Sequence, residues 1–166
     1  MNFDVKTAFL HAHLPHDIFA KQIPGYPEPD SSTVLHLLVA LYGFKQSSHE
    51  WYKLLSSLLA MLGLFRCEAD HAVFIGRWTT HPSVPLPPSG GLLFIIIPIH
   101  IDDGLAVSNS LHLYKWFVSE ISKSIEFICL GPVINTRYLG QQIVRDRHNK
   151  TIWHSQSDLI LSLLED

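Results

Sequence analysis

Two adjacent carboxylates, Asp102 and Asp103, break the most apolar stretch of this 166-residue chain. Leu92 to Ile99, His100 and Ile101 precede them, and Leu105-Ala106-Val107 follow Gly104. The run from Leu92 to Ile99 is 8 residues, the length of a buried strand and far short of the roughly 20 residues that a bilayer demands. The pattern predicts an apolar strand, an acidic turn at Asp102-Asp103-Gly104 and a second apolar strand. At an effective dielectric of about 20, two charges about 5 Å apart repel by roughly 3 kcal/mol before any desolvation cost. A divalent cation is one compensation, because hard Mg²⁺ prefers carboxylate oxygen. An Asp-Gly hairpin turn with both side chains in water is the other. These residues alone leave both readings open.

Composition narrows the class. Lysine plus arginine number 12 and aspartate plus glutamate 15, so charged residues make up 16% of the chain while hydrophobic residues make up 47%. That balance excludes disorder, and the length is that of one domain with a proper core. Cys67 and Cys129 are too few for a disulfide framework, which predicts a reducing intracellular, cytoplasmic setting rather than secretion. No signal peptide is read at the start, where Met1 is followed at once by Asn2, Asp4 and Lys6. A net charge of −3 argues against a stand-alone nucleic-acid binder, which usually presents a basic surface.

The periodicity predicts strands at Asp17 to Ile23, Val34 to Leu41 and Phe65 to Ile75, with a Pro-rich loop over Pro24 to Pro29 and a turn at Gly43. Ser47-Ser48-His49-Glu50 fits a capping box. Trp51, Leu54, Leu55, Leu58, Leu59 and Leu62 then recur at helical spacing, with Gly63 as the stop. Residues 78–91 hold four prolines and two glycines and are expected to join a hairpin. Leu111, Tyr114, Phe117, Ile121 and Ile125 predict a second helix capped by Asn109 or Ser110. Leu139 to Arg145 and Thr151 to His154 read as a hairpin turning at Arg147-His148-Asn149, and a last helix runs through Leu159, Ile160, Leu163 and Leu164. No regular βαβ alternation is present, so the expected class is α+β.

Asp4 is a further isolated acid inside an apolar segment (Phe3, Val5, Ala8, Phe9, Leu10). If that segment is a strand beside the hairpin, Asp4, Asp102 and Asp103 converge within a nanometre or so. Three carboxylates suffice to hold two metal ions, which in two-metal enzymes activate an attacking hydroxyl and stabilise a leaving oxygen.

Asp4-Val5-Lys6-Thr7-Ala8-Phe9-Leu10, Ala40-Leu41-Tyr42-Gly43-Phe44-Lys45-Gln46-Ser47, Trp51-Tyr52, Ile101-Asp102-Asp103 and Tyr138-Leu139-Gly140 occur in one order over nearly the whole chain. That series resembles the reverse transcriptases of copia-type LTR retrotransposons. The resemblance implies a polymerase palm, an antiparallel sheet with helices on one face, over residues 1–154, and the start of a thumb-like helix over residues 155–166. It implies that Asp4, Asp102 and Asp103 are the catalytic metal ligands for two Mg²⁺ (or Mn²⁺) ions. Val5 would lend its carbonyl to metal, and Phe9 would pack under the incoming sugar. Tyr42, Gly43, Lys45 and Gln46 would line the nucleotide, and His100, Tyr138, Leu139 and Gly140 would grip the primer. The implied partners are an RNA or DNA template-primer and deoxynucleoside triphosphates.

Departures accompany the likeness. His100 stands where the family usually has Tyr, Ser48 where it commonly has Pro, and His11-Ala12 where it has Asn-Gly. In the family, fingers rich in basic residues precede the first aspartate; Asp4 lies three residues from the start here, so a palm-containing fragment lacking the fingers is expected. Two functions follow: template-directed addition of deoxynucleotides to a primer, or a catalytically inactive retroelement remnant serving at most as an interaction module.

Other candidates read more plainly. His11, His13 and His16 have no cysteine or fourth ligand nearby and are taken as solvated polar residues rather than a zinc site. Cys67 and Cys129 read as ordinary buried small side chains, and Trp51 and Tyr52 as helix core rather than base stackers. Arg137, Arg145, Arg147 and Lys150 suit either phosphate contact or a solvated face.

Overall fold

The computed structural model of the chain describes residues 1–26, 30, 32–88 and 90–165. Its elements are β1 (Asn2–Val5), a 3-10 turn (Ala8–His11), β2 (His13–Ala20), β3 (Leu35–Val39), α1 (Ser47–Met61), β4 (Leu64–Arg66), β5 (Val73–Trp78), β6 (Leu93–His100), β7 (Asp103–Leu105), β8 (Val107–Ser108), α2 (Leu111–Ile121), β9 (Phe127–Gly131), β10 (Asn135–Tyr138), β11 (Gln141–Asp146), β12 (Thr151–Ser155) and α3 (Ser157–Glu165). Every strand pair among the described residues is antiparallel. The class is α+β, as the mixed pattern predicts.

Seven strands form the main sheet in the order β4-β5-β6-β7-β1-β9, with β8 also paired to β6. Smaller sheets join β2 with β3 and β10 with β11 and β12. The apolar run becomes β6, where buried Leu93, Ile95, Ile97 and Ile99 alternate with half-buried Phe94, Ile96 and Pro98. The buried set meets Trp51, Leu55 and Leu59 of α1 and Leu113, Phe117 and Ile121 of α2, in one cluster with Phe3 and Val5. Each such fully buried side chain contributes about 1.5–3 kcal/mol. Because β1 lies between β7 and β9, its Phe3 and Val5 are central to this core while its polar residues face away from it.

Several local expectations need correction. Ser47 does not serve a capping box: Gln46 precedes α1 without a side-chain cap, and the Ser47 hydroxyl donates to the Leu41 carbonyl at 2.5 Å. That bond ties the turn at Gly43 (φ +88°) to the helix, whose far end stops at Gly63 (φ +78°) as expected. The stretch Phe65 to Ile75 is two strands, β4 and β5, since Asp70 turns the chain by accepting from the Ala72 amide. His13 and His16 lie on strand β2, and the cysteines are not buried as expected: Cys67 is half-buried and Cys129 exposed. Ser110, rather than Asn109, caps α2 by accepting from the Leu113 amide.

The hairpin expected after Tyr138 is present and turns through residues 147–150, where Asp146 accepts from the His148 and Asn149 amides. Residues 78–91 do connect paired strands, β5 and β6. Pro27, Glu28 and Pro29 of the first Pro-rich loop, Ser89 of the second and Asp166 lie outside the described residues. No described helix is long and apolar enough to cross a membrane.

Candidate active site

The acidic doublet is not the turn itself. β6 and β7 pair His100 with Asp103, so the two-residue turn is Ile101-Asp102, and Asp103 and Gly104 belong to β7. The turn shifts because Gly104 is needed elsewhere. It lies opposite Phe3 on β1, and a Cβ built there would come within 2.0 Å of the Phe3 ring. Glycine at 104 is therefore the space into which a buried ring packs, and Ile101 takes the left-handed position at φ 58° instead.

The same ladder sets Asp4 directly across from Asp103. Facing residues of an antiparallel pair carry their Cβ atoms on one side of the sheet, about 5 Å apart. Asp102 follows at the turn, its carbonyl accepting from the Val5 amide at 2.9 Å. The three acids are thus neighbours, all half-exposed. Burial, and then the charges of Asp102 and Asp103, raise the Asp4 pKa above its ordinary 3.8. Burial and Asp102 raise Asp103 likewise, with His100 partly offsetting them. None of the ion pairs between described residues involves these acids.

Mutual repulsion that no ion pair between described residues neutralises, on hard oxygen donors, is the chemistry that a divalent cation relieves. The donors fit such an ion in type and in strand register. Among the described residues, however, no group of three or more His, Cys, Asp or Glu side chains is already drawn together as a ligand cage. The register governs which carboxylates can meet; side-chain rotation about that fixed backbone is what would close them on an ion.

The remaining predicted residues divide into those the fold brings near and those it leaves at the margin. Tyr138 ends β10, and burial together with the charge of Asp103 raises its pKa, so the hairpin expected at the primer borders the acids. Leu139 (φ 49°) and Gly140 (φ 75°) form the two-residue turn between β10 and β11. His100 is exposed beside Asp103. Phe9 is 6% exposed in the 3-10 turn after β1, with its ring centroid 4.6 Å from that of Tyr42. Gly43, Lys45 and Gln46 are exposed on the turn leading into α1. Arg145 and Arg147 are close enough to the Met1 ammonium to help burial lower its pKa, which sets positive charge beside β1.

Strain gathers around this region. Thr7, Ile101, Leu139 and Lys150 are the non-glycine described residues with positive φ, and the first three follow Asp4-Val5, precede Asp102 and follow Tyr138. Such conformations cost on the order of 1–3 kcal/mol each and cluster at functional sites.

Two contributors escape a reading of the sequence. Asn2, 4% exposed, donates to Thr136 Oγ1 at 3.1 Å and to the Arg137 carbonyl at 3.3 Å, fastening the small sheet beside Asp4. Its only signal is a polar residue in the alternation that carries Asp4. Trp51, correctly read as helix core, also donates its indole N–H to the Ile101 carbonyl at 2.7 Å.

The whole chain, residues 1–166, matches the family described as Reverse transcriptase (RNA-dependent DNA polymerase). It is 31% identical over 163 residues to the retrovirus-related Pol polyprotein from transposon TNT 1-94 of Nicotiana tabacum. It is 28% identical over 161 residues to the putative transposon Ty5-1 protein of Saccharomyces cerevisiae. These alignments take in 98% and 96% of this chain but only 11% and 45% of the two relatives. No solved structure matches.

Proposed function

The chain belongs to the reverse transcriptase (RNA-dependent DNA polymerase) family, and from that premise we propose that it carries the palm of a copia-type retrotransposon polymerase. Residues 1–154 make up the palm-like part and residues 155–166 begin a thumb-like helix. The reaction is template-directed addition of deoxynucleotides to a primer. The observation that supports this most is the Asp4–Asp103 register with Asp102 at the adjoining turn.

Asp4, Asp102 and Asp103 would hold two Mg²⁺ ions. When bound, the ions supply charge that favours the ionised primer hydroxyl and the departing phosphate oxygen. The protein's own part is geometric. Val5 is locked to the turn through its amide, and the β1–β7 ladder keeps Asp4 and Asp103 on one side of the sheet, with Asp102 at the adjoining turn. The Phe9 ring, braced by Tyr42, offers a flat apolar surface that leaves no room for an added sugar oxygen. Gly43, Lys45 and Gln46 line the approach of the triphosphate and template. His100 and the hairpin of Tyr138, Leu139 and Gly140 hold the primer end beside the acids, with Arg145 and Arg147 placed for its phosphates.

Purified protein given Mg²⁺ or Mn²⁺, a primed RNA template and deoxynucleotides extends the primer on this reading, and Asp103→Asn abolishes extension. Absence of extension with either metal contradicts it and favours an inactive remnant that acts as an interaction module.

A further inference from the structure

We infer that Trp51 is a positioning residue for the acidic centre, clamping the strained turn that aims Asp102 and Asp103. The inference rests on the metal reading above and extends it to a residue outside the ligand set. The two peptide planes flanking Asp102 are each pinned by one hydrogen bond. The plane before it presents the Ile101 carbonyl to the Trp51 indole N–H at 2.7 Å. The plane after it presents the Asp102 carbonyl to the Val5 amide at 2.9 Å. Fixing both planes fixes the direction of the Asp102 Cα–Cβ bond, and with it the start of β7 at Asp103.

The clamp is needed because Ile101 does not hold the turn by itself. A β-branched residue at φ 58° sits where two-residue turns normally have Gly or Asn, and its side chain is 41% exposed. Relaxing Ile101 to negative φ would swing Asp102 away from Asp4. The indole comes from α1, 50 residues away in sequence, and its ring is 2% exposed, so water does not compete for the bond. Core filling alone would be served by phenylalanine; the directed N–H is the added feature.

Trp51→Phe keeps an aromatic ring in the core and deletes the donor. Leu58→Ala, on the same helix and remote from the turn, is the control for general destabilisation. In Trp51→Phe, amide hydrogen exchange at Val5 and residues 101–103 of the metal-free protein quickens by about five- to tenfold, and Mn²⁺ affinity measured from the free-ion electron paramagnetic resonance signal falls by a similar factor. Leu58→Ala lowers the melting temperature without either local change. In the wild-type chain, which avoids any folding defect of the variant, the Trp51 indole N–H is protected from exchange and its resonance shifts on addition of Mg²⁺. Wild-type exchange and wild-type Mn²⁺ affinity in Trp51→Phe, or a freely exchanging indole N–H, overturn the positioning role while leaving the metal reading in place. Unchanged Mn²⁺ affinity in Asp103→Asn overturns the metal reading, and the inference with it.

Discussion

Asp4 on β1 stands directly across an antiparallel ladder from Asp103 on β7. It is this register, more than the adjacency of Asp102 and Asp103 in the chain, that makes an acidic centre. Charges at neighbouring positions of a strand point to opposite faces, whereas charges at facing positions share one. The fold therefore concentrates negative charge at a place where none of the ion pairs between described residues reaches it.

The pH dependence of stability follows from this concentration. Asp4 and Asp103 have folded pKa values above the ordinary 3.8, so just above that value the native state binds more protons than the unfolded chain. Stability from this source is greatest when the acids are protonated and falls as pH rises through the raised values. Asp103→Asn removes one repelling charge while keeping the volume. Without divalent metal, its melting temperature at pH 7 exceeds that of the wild type by about 1–3 °C, because these half-exposed charges are screened. The difference closes near pH 3, as differential scanning calorimetry at the two pH values will show.

Gly104 is constrained by packing rather than by backbone conformation. An alanine methyl there meets the ring of Phe3, which is itself stacked on Phe127 at 4.4 Å and tilted against Phe117 at 6.5 Å. These two rings limit where it can move. Gly104→Ala is expected to cost about 1–3 kcal/mol and to lower the melting temperature by roughly 3–10 °C. Circular dichroism thermal scans check this.

That same glycine shows where the sequence is legible and where it is not. Helices α1 and α2 are readable because Trp51, Leu55 and Leu59, and Tyr114, Phe117 and Ile121, repeat with the helical period and end at glycine or begin at serine, although Leu111, read with them, is exposed and Leu113 is buried in its place. Strand β6 is readable because nothing but burial explains so apolar a run. The Asp-Gly pair, by contrast, carries a local preference for a turn that tertiary packing overrides: Phe3, a hundred residues earlier, claims the space at Gly104 and displaces the turn onto Ile101. Of the centre, the identity of its three acids is visible as isolated charges in apolar segments. Their register, the Asn2 bonds to β10 and the Trp51 clamp depend on side chains meeting across more than 40 residues, and no local pattern encodes them. Strand β10 is not legible for a similar reason, since Asn135–Tyr138 is polar and short and is made a strand by pairing with β11.

Leu139 offers a converse test. It is 47% exposed and holds φ 49° in the turn beside Tyr138, a conformation that costs a leucine about 1–2 kcal/mol. Asparagine tolerates it. Leu139→Asn is expected to raise the melting temperature by about 2–4 °C, and thermal unfolding followed by circular dichroism measures it.

The central claim is that Asp4, Asp102 and Asp103 share one field and can share a cation, and carboxyl-carbon nuclear magnetic resonance titration of Asp4 tests it most directly. The account predicts that Asp4 titrates above 3.8 in the metal-free protein, moves down in Asp103→Asn, and moves below its metal-free value when Mg²⁺ is added to the wild type. An Asp4 resonance that titrates at the same pH in all three samples would contradict it.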